Sequence, residues 1–163
     1  MSAEALRREL KFALPEALPD LDAGLAVAGA VLRSVRDTWE QAEGDRADVL
    51  QQVWRVFGLD TACYLAQILG LAQWGDGERY VNVEDCPLHA RILALCFKHH
   101  LPLGAGDEGM RFMGCVLRVL AELFEASGGS AYQVVTAVED ALGAGAALNL
   151  AVILLPPCGS DWP

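Results

Sequence analysis

Apolar side chains recur three and four positions apart along nearly the whole chain, while alternation of apolar with polar residues is almost absent. A period near 3.6 lines one face of a helix and a period of two lines one face of a strand, so the chain is confined to an all-α fold. At 163 residues it has the length of a single domain spanning 1–163. That length accommodates a bundle of about six to eight helices of ordinary size.

The individual helices follow from their stops and caps. Leu6, Leu10 and Leu14 mark a first helix that ends near Pro15. Asp20 or Asp22 caps a second that reaches Glu43 and Gly44, with Leu21, Leu25, Ala28, Leu32, Val35 and Trp39 on one stripe. Within it Gly24, Ala28 and Gly29 form a small-residue face suited to a close helix crossing, and the same face leaves a homo-oligomer open. Asp45 and Asp48 start a third helix, with Val49, Val53 and Phe57 inward, Trp54 beside them and Gly58 at its end. Asp60 opens a fourth, carrying Leu65, Ile68, Leu69 and Ala72 inward.

Asp85 and Pro87 begin a fifth helix that must finish before Pro102. The sixth begins at Asp107 or Glu108 and carries Met110, Met113, Leu117, Leu120 and Phe124. Ser130 and Gln133 form a capping box for the seventh, with Val134, Val138 and Leu142 inward. Beyond Gly143 two readings compete: a buried helix, which is favoured, or a core strand at Leu150 to Leu155. Such a strand would pair with a short one at Tyr80 to Val83, giving a minor two-stranded element. Residues 75–85 are expected to form a crossover loop, and 156–163 an irregular tail that includes Trp162.

Twenty-two Asp and Glu against twelve Lys and Arg leave a net charge of -10, and only Lys11 and Lys98 are lysines. Nucleic-acid binding rests on basic side chains displacing counterions, so direct DNA or RNA binding is disfavoured. The charge instead favours a basic protein partner, to the point of mimicking the nucleic acid that such a partner binds. The longest uncharged stretch, Ala141 to Ser160, is interrupted by glycines, Asn149 and two prolines, so no membrane span is expected. Five cysteines and no charged leader before an apolar segment point to a reducing, cytoplasmic setting. Of these, Cys63, Cys96 and Cys115 read as small core residues.

One cluster could carry chemistry. Cys86, His89, Cys96 and His99, with His100 adjacent, spell C-x2-H-x6-C-x2-H, whose side chains suit zinc. On one continuous helix, however, positions 86 and 96 stand about 15 Å apart along the axis. Cys86 at the helix start has the dipole in favour of a thiolate and Glu84 and Asp85 against it. His99 and His100, in the last turn, fit capping of the helix carbonyls, with pH sensing or metal binding as the second reading. No nucleophile elbow, phosphate loop, HExxH helix or dinucleotide fingerprint occurs, and no cofactor is implied.

The remaining candidates gather around the loop. Asp76, Glu78, Glu84 and Asp85 place four carboxylates in ten residues without EF-hand spacing, and Trp74 and Tyr80 lie among them. Aromatic anchors beside acidic charge suit a partly apolar, basic partner. The expected function is therefore a small acidic interaction module, an adaptor, inhibitor or immunity-type factor, that binds a larger protein with a basic surface. The alternative is a thiol- or metal-dependent enzyme or sensor centred on Cys86 and His89.

Overall fold

The computed structural model describes residues 3–16, 18, 20–69, 87–101 and 108–154, and among them eight α-helices and no strand. These are α1 (Ala3–Ala13), α2 (Leu21–Gln41), α3 (Arg46–Phe57), α4 (Leu59–Ile68), α5 (Pro87–His99), α6 (Glu108–Ala126), α7 (Ala131–Leu142) and α8 (Ala144–Leu154). The all-α expectation holds. None of these helices is long and apolar enough to cross a membrane.

The two longest helices organise the rest. α2 packs against α1, α3, α5, α6, α7 and α8, and α6 against α1, α2, α3, α4 and α7. Because α2 is surrounded, its buried face is broader than the single stripe expected: Val27, Val31 and Thr38 are buried, while Leu21 and Leu25 are half-buried. Gly24 lies against the Leu14 side chain so closely that a Cβ there would collide with it. A Cβ at Gly29 would stand 3.7 Å from that of Ala146 on α8. The small-residue face is thus used for crossings inside the fold.

The caps follow the sequence with two departures. Asp20 accepts a hydrogen bond from the Asp22 amide, and Asp45 accepts one from the Asp48 amide. Ser130 Oγ accepts from the Gln133 amide, but the Ser130 amide donates to Ser127 Oγ, so the return half of the capping box is filled by a serine from the preceding turn. Asp60 does not cap α4, which starts at Leu59 with Gly58 as its N-cap and no side-chain cap bond. The chain passes from α3 to α4 through Gly58 alone, which leaves Asp60 in the first turn, where its charge still favours the helix N-terminus.

The favoured helix beyond Gly143 holds, and two expectations, for Cys63 and Phe57, are corrected. Residues 150–154 are helical, so no strand forms there to pair with Tyr80 to Val83, which lie outside the described residues. The small side chains of α8 let it lie close on α2, and Asn149 Oδ1 accepts a 2.9 Å hydrogen bond from Arg36 Nη1 across that contact. Cys63 is exposed, because Ala62, Leu65 and Ala66 turn the opposite face of α4 inward. On α3 the innermost residue of the last turn is Val56, and Phe57 is only half-buried.

α5 ends in a Schellman motif, with the Leu101 amide donating to Cys96 O at 2.9 Å and the His100 amide to Phe97 O at 3.4 Å. The residue at the left-handed position is His100, with φ 55°, where glycine is the usual choice. Left-handed backbone costs a residue with a Cβ roughly 1–2 kcal/mol, and glycine loses about 0.4–1 kcal/mol through the unfolded chain. His100→Gly is therefore expected to stabilise the fold by about 0.5 kcal/mol or more, seen as a raised Tm, whereas His100→Ala gives no such gain. A lower Tm for the glycine variant would contradict this account.

Candidate functional site

Trp74, Asp76, Glu78, Tyr80, Glu84 and Asp85 all lie outside the described residues, between α4 and α5. The two ends of that connection are described, and both are held by α3. Arg46 Nη1 donates to Leu69 O at 2.9 Å, just after α4. Gln52 Oε1 accepts from the buried Leu88 amide at 3.0 Å, at the start of α5. The connection therefore leaves and returns beside the N-terminal half of α3.

That is also where carboxylates of the described chain collect. Glu40, Glu43 and Asp45 are exposed, and Asp48 is half-buried with Oδ2 facing Gln52 Nε2 at 3.4 Å. Arg91 of α5 closes the corner from the other side, donating to Thr38 Oγ1 at 2.8 Å and Gln41 Oε1 at 3.0 Å on α2.

Elsewhere, too, arginines tie the bundle together. Arg7 donates to the Asp140 and Ala141 carbonyls at the end of α7, where a cation also complements the helix dipole. Arg36 bridges to Asn149 and pairs with Glu40 at 3.1 Å. Arg7, Arg46 and Arg91 thus turn toward backbone carbonyls and neutral side chains, while Arg36 and Arg118 each also pair with a glutamate one turn on.

The cysteine and histidine set separates along α5, which is one continuous helix. Cys96 is fully buried with Sγ 4.0 Å from Met110 Sδ, and burial pushes its thiol pKa up, which keeps it protonated. His89 is half-buried, and Cys86 lies outside the described residues. Burial, then the charges of Lys98 and His100, lower the pKa of His99, so the protonated capping imidazole expected there is disfavoured. His100 instead serves the backbone turn. No three His, Cys, Asp or Glu side chains converge among the described residues.

The sequence reading missed a groove of about 520 Å³ between α1, α4 and α6, lined by Phe12, Leu14, Phe57, Tyr64, Met110 and Arg111, among others. Cys115 and Arg118 also line it, with Arg118 Nη2 donating to Cys115 Sγ at 3.1 Å. That bond and the charge of Cys115 raise the Arg118 pKa, burial opposes them, and Glu122 and Tyr64 add smaller upward contributions. One signal was available in the chain: Arg111, Cys115 and Arg118 share a face of α6 at spacings of four and three, interrupted by Gly114. Comparison with protein-family models, curated proteins and solved structures gives no match for this chain.

Proposed function

We propose that the chain is a small acidic interaction module that binds a larger protein through a basic face on that partner and can inhibit it by occlusion. The observation that carries this reading is the corner at the N-terminal half of α3. Glu40, Glu43, Asp45 and Asp48 stand beside both pinned ends of the segment that holds Asp76, Glu78, Glu84, Asp85, Trp74 and Tyr80. Carboxylates steer a cationic partner to this corner, and the two aromatic residues supply apolar anchorage. The thiols of Cys63, Cys96 and Cys115 are unpaired, which supports a cytoplasmic setting for the encounter.

The test begins with the tagged full chain purified from its own host and the co-purifying protein remade alone. Affinity of the pure pair is then measured between about 50 and about 500 mM salt, a range over which screening shortens from roughly 14 to 4 Å. Kd is expected to rise at least tenfold. The triple variant Glu43→Gln, Asp45→Asn, Asp48→Asn keeps an N-cap residue at 45 and is expected to weaken binding about tenfold at low salt. Neutralising Glu4, Glu139 and Asp140 is expected to change it little. An affinity indifferent to salt, or equal losses from both triples, would overturn the proposal.

A further inference from the structure

We infer that the groove between α1, α4 and α6 is a binding site for a free α-amino acid with an aromatic side chain, its ammonium held by Asp60 and its carboxylate by Arg111. The site is independent of the acidic corner, since Phe57 at its edge and Arg46 at the corner lie at opposite ends of α3, about 16 Å apart along the axis.

The polar lining asks for both charges at once. Asp60, Thr61 and Tyr64 come from α4, and Arg111, Cys115 and Arg118 from α6. Arg118 is already engaged, by Cys115 and by Glu122 at 3.5 Å. The side chains of Asp60 and Arg111 are exposed and form no hydrogen bond or ion pair with each other or with any other described residue. A bare carboxylate in the groove would leave Asp60 opposed to it, and a bare amine would leave Arg111 unused, whereas a zwitterion satisfies both. Its two charged groups on one carbon stand about 3 Å apart, and two contacts of roughly 2.9 Å extend that reach to about 9 Å. A zwitterion also has no net charge, so the net charge of -10 does not repel it as it would an anion.

The register of the two helices brings the acid and the base toward one end of the groove. α6 meets α4 at Gly114, where a Cβ would be crowded by Thr61 Oγ1 at 3.2 Å. Tyr64, one turn beyond Thr61, lies close enough to Arg118, one turn beyond Gly114, to act on it electrostatically. The helices therefore run in the same direction, and Asp60, just before Thr61, falls toward Arg111, one turn before Gly114. The apolar part of the lining is largely aromatic: Phe12, Phe57 and the Tyr64 ring, with Met110, whose sulfur suits a ring edge. At about 30 Å³ for each water-sized group, 520 Å³ holds roughly 17 of them, room for the about 12 non-hydrogen atoms of phenylalanine and a few waters. Phe12, at the rim, is 82% exposed, an apolar surface that an aromatic ligand would cover.

Binding of L-phenylalanine to the full chain is measured by equilibrium dialysis, beside 3-phenylpropanoate, which lacks the ammonium, and phenethylamine, which lacks the carboxylate. Each analogue is expected to bind at least tenfold more weakly than phenylalanine. Arg111→Gln is expected to weaken phenylalanine at least tenfold and to leave phenethylamine unchanged. Asp60→Asn is expected to weaken phenylalanine by a similar factor without weakening 3-phenylpropanoate. Cys115 lines the groove and Cys63 is exposed elsewhere on α4, so iodoacetamide alkylation followed by peptide mass mapping locates the ligand. At ten times its Kd, phenylalanine is expected to slow alkylation of Cys115 about tenfold and to leave Cys63 unchanged. Failure of phenylalanine to bind, equal affinity for either analogue, or an unprotected Cys115 would overturn the inference. So would an Arg111→Gln loss that extends equally to phenethylamine, which would mean that the variant disturbs the groove and removes no carboxylate contact.

Discussion

Phe112→Ala is expected to cost about 3–5 kcal/mol, a drop in Tm of roughly 6–20 °C for a chain of this size. Phe112 heads the fully buried side chains by volume, at 1% exposure, and it sits on α6, which packs against α1, α2, α3, α4 and α7. Truncation to alanine loses the transfer free energy of the ring and leaves a cavity that five surrounding helices can only partly close. Phe12→Ala is the matching control: it removes the same ring from an 82% exposed position and is expected to stay within about 0.5 kcal/mol of the parent. Thermal and urea melts followed by circular dichroism read both. Similar losses in the two variants would mean that the core is not organised around α6 as described.

The parts of this fold that could be read from the chain are those decided by local chemistry. Asp20, Asp45 and Ser130 can each satisfy an unpaired amide at a helix start, and each does so within three residues of itself. Pro15 and Pro87 restrict their own neighbours in the same local way. What stayed open or failed depended on distant partners. Whether 144–154 was helix or strand turned on the close approach of α8 to α2, and that approach needs Gly29 opposite Ala146, residues far apart in sequence. Cys63 resembled its neighbours in composition, and its exposure was set by which face of α4 met α6.

The candidate site divides in the same way. Its acidic character was visible in composition, but the bonds of Arg46 to Leu69 and of Gln52 to Leu88 were not, because both span more than twenty positions. The groove escaped notice because no segment contains it. α1 contributes Phe12 and the turn after it Leu14, α4 contributes Asp60, Thr61 and Tyr64, and α6 the arginines, and each set reads singly as an ordinary surface. A patterned face reports that a helix has neighbours, whereas a concavity exists only once three helices are placed together.

The α3–α4 bend that shapes one wall of this groove makes a second large effect predictable. Gly58 has φ 103° and ψ 168°, and Gly143, between α7 and α8, has φ 101° and ψ 166°. Both lie in a region that residues with an L-configured Cβ reach only at about 1–3 kcal/mol. Each closes one helix and opens the next: the Gly58 amide donates to Trp54 O, while Gly58 O accepts from the Ala62 amide. A Cβ at Gly58 would meet nothing within 4 Å, so the cost of alanine is conformational and involves no clash. Gly58→Ala is expected to lower stability by about 1–3 kcal/mol, read as a Tm lower by roughly 2–12 °C. D-alanine at position 58, introduced by chemical ligation, favours positive φ and restricts the unfolded chain, so it is expected to match or exceed the parent Tm. Equal losses for the two enantiomers would show that the site rejects the methyl group itself and would refute the backbone explanation. A loss confined to L-alanine would mean that the orientation of Phe57 against Asp60 and Thr61, and with it the groove wall, is set by the handedness of one residue.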